Sequence, residues 1–216
     1  MKTDMQLKDD ILAELKWAPD VNETDVGVIV KDGVVTLTGH LSSYAEKFAA
    51  ERAVERVSGV RALAEEISVK LPSSSQRTDA EIAAAAQQAL AWNTMVPKES
   101  VHVKVEQGRV TLSGQVEWEY QRSAAFAAVH NLFGVVGVAN GVTVKPRVTM
   151  SSVERSIHDA LARQADREAK GIEVSVSGTQ VTLRGKVRSW AERQAAQGAA
   201  WSAPGVGSVI NALTVN

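Results

Sequence analysis

The chain has 216 residues, with 24 lysines and arginines against 25 aspartates and glutamates, 44% hydrophobic and 23% charged residues, and no cysteine. That balance is ordinary for a folded globular protein and excludes wholesale disorder, a disulfide framework, a thiolate metal site and a cysteine nucleophile. The opening residues, Met-Lys-Thr-Asp-Met-Gln-Leu-Lys-Asp-Asp, lack the apolar run of a secretory signal, which leads to the expectation of a cytoplasmic chain. A bilayer span needs roughly 20 apolar residues, and the most apolar stretch, 126–144, is broken by His130, Asn131, three glycines and Asn140.

From the N-terminus, Leu7, Ile11 and Leu15 recur at i, i+4 and i+8, one face of a helix. Val26, Val28 and Val30 then alternate as in a half-buried strand, and Lys31-Asp32-Gly33 supplies residues that tolerate the positive φ of a tight hairpin. The second strand puts Val35, Leu37 and Leu41 on one face and Thr36, Thr38 and His40 on the other, with Gly39 marking a close backbone approach or a bulge. A second helix from about residue 44 to 57 carries Ala49 and Ala53, small enough to bring its axis close to a sheet, and a third strand over 63–69 closes the unit.

The unit recurs twice. Gly-Val-Val-Thr-Leu-Thr-Gly-His-Leu (33–41) returns as Gly-Arg-Val-Thr-Leu-Ser-Gly-Gln-Val (108–116) and Thr-Gln-Val-Thr-Leu-Arg-Gly-Lys-Val (179–187), at offsets of 75 and then 71. The same offsets repeat the first helix as Ile82, Ala86, Leu90 and Val153, Ile157, Leu161, with Asp79 and Ser151 or Ser152 as expected caps. They repeat the first strand as Val101, Val103, Val105 and Ile172, Val174, Val176, and the small helix-two residues as Ala124, Ala128 and Ala195, Ala199. The fold class is therefore α+β, three tandem αββαβ domains over 1–71, 78–145 and 150–216, joined by linkers 72–77 and 146–149. Each is expected to be a small mixed three-stranded sheet with two helices on one face. Strand order stays open, because a right-handed crossover is compatible with more than one.

The Gly-x-Val-Thr-Leu-x-Gly-x-Val motif is accompanied by a closing pattern of Val135, Val138, Asn140, Val142, Val144 and Val206, Val209, Asn211, Leu213, Val215. Together they resemble the BON domain family of bacterial osmotically inducible and nodulation proteins, as three tandem domains over nearly the whole chain. Copy one departs from the pattern with Glu65 in place of the asparagine, and copy three with Thr179 in place of the hairpin glycine, Gly178 lying one residue earlier. The resemblance implies a non-catalytic binding module of osmotic and envelope stress, associating with phospholipid or membrane surfaces. It also implies a mostly periplasmic setting, the alternative to the cytoplasmic expectation above.

No metal-binding, phosphate-binding, dinucleotide-binding or nucleophile motif is present, so neither a cofactor nor a metal is expected and the chain reads as no enzyme. His40, His102, His130 and His158 fall on four different elements, and Asp9-Asp10 and Glu65-Glu66 read as solvated faces. An enzyme would need an inter-domain cleft holding two or more convergent polar groups. Charge is more informative. Residues 1–71 carry 9 basic and 13 acidic side chains, 72–146 carry 6 and 6, and 147–216 carry 9 and 6. Arg184 and Lys186, with Arg188 beyond, form a basic strip on the third copy's sheet. Such a strip suits anionic lipid, at about 1 kcal/mol per basic residue, or the acidic first copy of the same or another chain. Trp17 and Trp92 share one repeat position at the end of helix one, Trp118 and Trp190 lie near the start of helix two, and Trp201 lies within it. Amphipathic rings there suit a headgroup zone or, as the preferred reading, packing between copies. The expected lipid- or partner-binding residues are Arg184, Lys186, Arg188, Trp17, Trp92 and Trp190. The expected partner is an anionic phospholipid surface; the alternative is a protein-interaction or self-assembly scaffold. Nucleic acid is not expected, since recognition helix and basic-aromatic interleaving are both lacking.

Overall fold

A computed structural model describes residues 2–145, 172–203 and 206–215. Copy one runs α1 (Asp4–Trp17), β1 (Val26–Lys31), β2 (Val34–Leu41), α2 (Tyr44–Arg56) and β3 (Ala62–Val69). Copy two runs α3 (Asp79–Trp92), β4 (Val101–Glu106), β5 (Arg109–Val116), α4 (Glu119–Val129) and β6 (Gly137–Val144). Copy three shows β7 (Ile172–Ser177), β8 (Gln180–Val187), α5 (Trp190–Trp201) and β9 (Ser208–Val215). Its expected first helix, with Val153, Ile157, Leu161 and the cap at Ser151 or Ser152, lies outside the described residues.

The strand order is β1-β2-β3, repeated as β4-β5-β6 and β7-β8-β9. A hairpin gives the antiparallel pair, and the second helix carries the chain over to a third strand parallel to the second. The register puts Val35 beside Leu63 and Leu37 beside Glu65, so the inner face of β3 reads Leu63, Glu65, Ile67, Val69. In copy one Leu7, Ile11 and Leu15 of α1 and Ala50, Ala53 and Val54 of α2 close over Val28, Val35 and Leu37. Each large aliphatic side chain so buried stabilises the fold by about 1.5–3 kcal/mol. In copy three the expected stripe holds at Ala199, which packs on the core with Ala196 and the buried Ala200, but not at Ala195, which is exposed.

The cap of α3 is also displaced by one residue. Thr78, not Asp79, is the N-cap: its hydroxyl accepts the Glu81 N–H and the Glu81 carboxylate accepts the Thr78 N–H, the reciprocal pair that Thr3 and Gln6 make for α1. Asp79 is released for another task. Its carboxylate accepts the N–H groups of Gln107 and Gly108 at 2.8 Å each, and Asp4 does the same for Asp32 and Gly33 at 2.8 and 3.1 Å. These are the turn residues held at positive φ, so the first turn of helix one clamps the hairpin of its own copy. In the copy-three turn, Gly178-Thr179, positive φ falls on Gly178 alone (60°), fitting a hairpin with glycine at its first central position.

Gly39, at φ 127°, pairs with Val26, and a Cβ there would collide with the main-chain oxygen of Asp25. Gly114 stands in the same relation to Ser100. Close backbone approach is the reason for these glycines.

Candidate functional site

Arg184 and Lys186 stand exposed on the outer face of β8. Arg184 lies directly across from Glu173 of β7, which offsets part of its charge. Arg188, just past the strand, has its own anchor: Glu192 accepts its main-chain N–H at 2.7 Å and its guanidinium at 3.4 Å. Its carbonyl accepts the N–H of Gly59 in copy one at 3.2 Å, so this end of the strip belongs to a junction.

The tryptophans divide. Trp17 and Trp92 end α1 and α3 and are 84% and 82% exposed, so neither packs between copies. Trp190 instead packs against the core of copy one, with the Arg193 guanidinium 4.9 Å from its ring centre. Trp201 packs on the core of copy three itself.

The offsets of the repeat make Tyr44 the counterpart of Trp190, Phe48 that of Gln194, and Glu55 that of His130. These pairs organise two seams in the same way. Between copies three and one, Trp190 enters the neighbour's core while Gln194 donates to Glu55 at 2.7 Å and accepts from Arg52 at 2.9 Å. Between copies one and two, Tyr44 packs against the neighbour's core and hydrogen-bonds with the Val138 main chain. There Phe48 lies 5.3 Å from both Phe126 and His130, whose rings stack at 5.0 Å. The start of one copy's second helix thus docks on the later half of its neighbour's, and α2 serves as guest in one seam and host in the other.

Two perturbed carboxyls lie on α2, the host in the seam with copy three. Glu55 is only 9% exposed, and burial raises its pKa although Gln194 and Arg52 oppose the shift. Glu65 lies on the helix-facing side of β3, in register with Leu37, and is exposed as the sequence reading expected, 3.2 Å from Lys47. Beside it, Glu51 is pushed up to about 7, first by burial and then by the charge of Glu65, with which it shares a hydrogen bond. The other copies use amides here. Asn140 donates to the Arg122 carbonyl, and Asn211 donates to the Arg193 carbonyl and to Gln197, the counterpart of Glu51.

His40 meets Ser68 on the outer face of copy one, His102 is exposed on β4, His130 lies in the seam, and His158 lies outside the described residues. A cleft of about 530 Å³ between copies one and two is lined by Asp20, Glu46, Arg52, Arg56, His130 and Asn131 among others. Three of its charged groups are engaged in scaffolding: Glu46 accepts the N–H groups of Asn22 and Ser42, Arg56 pairs with Glu14, and Arg52 holds Gln194. Among the described residues no cluster of three or more His, Asp or Glu side chains is placed to hold a metal ion, and no helix is long and apolar enough to cross a membrane.

Among solved structures the chain is similar to CdsD, a structural protein of the type III secretion system of Chlamydia trachomatis, at 17% identity over 95% of this chain and 90% of that one, with a TM-score of 0.26. It is similar to the C-terminal domain of CdsD at 17% identity over the full length of both, with a TM-score of 0.27. At those scores the likeness carries no structural argument. No curated protein matches the chain in sequence. The BON domain pattern matches three times, over residues 3–70, 78–146 and 150–216, and with the three β-β-α-β sheets described above the chain belongs to the BON domain family of binding modules.

Proposed function

We propose that the chain is a non-catalytic binding module that docks on anionic phospholipid surfaces through Trp17 and Trp92, with Arg184 and Lys186 adding electrostatic attraction. The observation that carries this reading is the exposure of two tryptophans, both above 80%, at one position of the repeat. An indole held in water at a helix end contributes nothing to the core, but its apolar body and N–H suit the headgroup zone of a bilayer. Met95, 58% exposed and three residues beyond Trp92, extends the apolar surface there. The test is flotation with vesicles of phosphatidylglycerol and phosphatidylcholine at low and high salt. Co-flotation is expected on the anionic vesicles. It should be lost in Trp17→Ala/Trp92→Ala and reduced at high salt or in Arg184→Glu/Lys186→Glu; an unchanged double tryptophan variant rejects the site.

A second reading is a protein-interaction scaffold, favoured by seams in which one copy's helix start docks on its neighbour's helix. Such head-to-tail contacts extend to further chains if they do not close. Light scattering at two salt concentrations separates the two readings, since a strict monomer at both removes the support for self-assembly.

A further inference from the structure

The three copies form their hairpins in one register, so the strands that edge their sheets, β1, β4 and β7, can be compared position by position. In copy one the residues flanking the two-residue turn, Lys31 and Val34, exchange hydrogen bonds, and every second pair does so after them. Gly27, Ile29 and Lys31 therefore bond to β2. Copy two continues the same parity, with the Gln115 N–H on the Ser100 carbonyl at 3.2 Å. Val26, Val28 and Val30 turn their main-chain groups away from the sheet. The Val26 N–H is met by the Glu23 carbonyl, but the Val26 carbonyl and both groups of Val28 and Val30 find no hydrogen-bond partner among the described residues.

Proteins blunt such edges with charged side chains. β4 carries Lys104, paired with Glu106 at 3.0 Å, and β7 carries Glu173 across from Arg184. The position that Lys104 holds in copy two is Ile29 in copy one, 59% exposed. Its neighbours on the outer face of the strand are Gly27 and Lys31, both exposed, and the exposed Asp25 precedes the strand. Antiparallel pairing of two such strands about Val28 sets these four residues against one another: each Ile29 meets the bare backbone of a Gly27, and each Lys31 meets an Asp25. On that axis Val28 exchanges both of its bonds with its counterpart, and each Val30 N–H donates to a Val26 carbonyl. The same axis in β4 sets His102 against Lys104 and Ser100 against Glu106, with no bare position and no pair of opposite carboxylate and ammonium charges.

We propose that β1 is a pairing edge for a second molecule of this chain, the two strands joining copy one of each molecule into a continuous sheet about a twofold axis at Val28. The fit of Asp25 to Lys31 and of Gly27 to Ile29 is a fit of the strand to itself, which selects a second molecule of the chain over a foreign strand. A contact of this kind is isologous and stops at two chains, unlike a head-to-tail extension of the seams. It rests on neither reading of the function given above, because Trp17, Trp92, Arg184 and Lys186 take no part in it.

Sedimentation equilibrium of the full chain from micromolar to millimolar concentration, with amide hydrogen exchange on the same samples, tests the pairing. The expected result is a monomer–dimer equilibrium in which the Val28 and Val30 amides, open in the monomer, become protected as the dimer fills. Val103 and Val105 of β4 should exchange at one rate throughout. Ile29→Lys installs the residue of copy two at an exposed position and should abolish the dimer. Asp25→Lys and Lys31→Asp should each weaken it about tenfold, since each turns both charge pairs from attraction to repulsion. Mixing these two variants should restore the dimer, because each supplies the charge that the other lacks. A chain that stays monomeric to millimolar concentration overturns the proposal. So does a dimer that survives Ile29→Lys, or one that forms while Val28 and Val30 stay unprotected.

Discussion

Phe48 of copy one and Gln194 of copy three occupy the same position of the repeat and do the same task in different chemistry. Phe48 meets His130 of copy two edge-on at 5.3 Å, and Gln194 donates to Glu55 of copy one at 2.7 Å. The residues they meet are themselves counterparts. One docking operation is therefore used twice, once with an aromatic cluster and once with a hydrogen-bonded amide. A heterologous contact of this kind puts different surfaces on the two partners, which leaves each copy free to diverge on its outer face.

Removing the amide should expose how much the second version depends on it. Gln194→Ala takes the donor from a carboxylate that is almost fully buried, a loss of about 1–3 kcal/mol. The cost should appear as weakened docking of copy three, read as faster hydrogen exchange at the Gly59 amide, with the exchange of the copy-two core unchanged.

Phe48→Ala should act on the other seam. Deleting a ring that packs against Phe126 and His130 should cost about 2–4 kcal/mol, less than a full core truncation because the site is only partly enclosed. Urea unfolding followed by calorimetry should then show the transition broadening or splitting, as copy two uncouples from copy one.

Asp79→Ala should lower the stability of copy two by about 2 kcal/mol, since it strands two turn N–H groups, one of them on Gln107 held at positive φ. Thr78→Ala removes the true cap and should cost about 1 kcal/mol. If Asp79 acted as the cap, the order of these two losses would be reversed.

Gly39→Ala should be among the most damaging single changes, at least about 3 kcal/mol, because it adds both backbone strain and a collision with the Asp25 carbonyl. Thermal unfolding measures it. Gly198→Ala is the matched control: nothing lies within 4 Å of the added methyl, and in a helix alanine is preferred, so its stability should be equal or higher.

Stability should also carry the signature of Glu51. Its folded pKa, about 7, lies above its unfolded value, so between roughly pH 4.5 and 7 the unfolded chain gives up a proton that the native chain keeps. Stability contributed by the protonated form is therefore complete below that window, falls through it and is gone above it. Glu51→Gln should gain on the wild type as urea midpoints are compared from pH 5 to pH 8. A constant difference would contradict the assignment.

The fold was readable in the sequence because the same apolar periods occur three times without internal gaps, so that each copy vouches for the register of the others. Asp79 shows the limit of that reading. Composition places a capping residue at a helix start, but only coordinates distinguish the residue that caps from the one beside it that turns toward a hairpin. Glu65 was legible as an exposed side chain, and alternation from Leu63 through Val69 also places it on the helix-facing side of its strand, where the asparagines of the other copies find partners. The seams were not legible, because periodicity orders residues within a copy and carries no distance between copies. The aromatic residues Tyr44 and Trp190 at one repeat position were the available hint.

The head-to-tail placement of Trp190 also has a consequence for synthesis. Copy one is made before copy three, so the part of its core against which Trp190 packs stays uncovered until the third copy has been synthesised. Until then the first domain presents an apolar contact that only a later segment of the same chain covers.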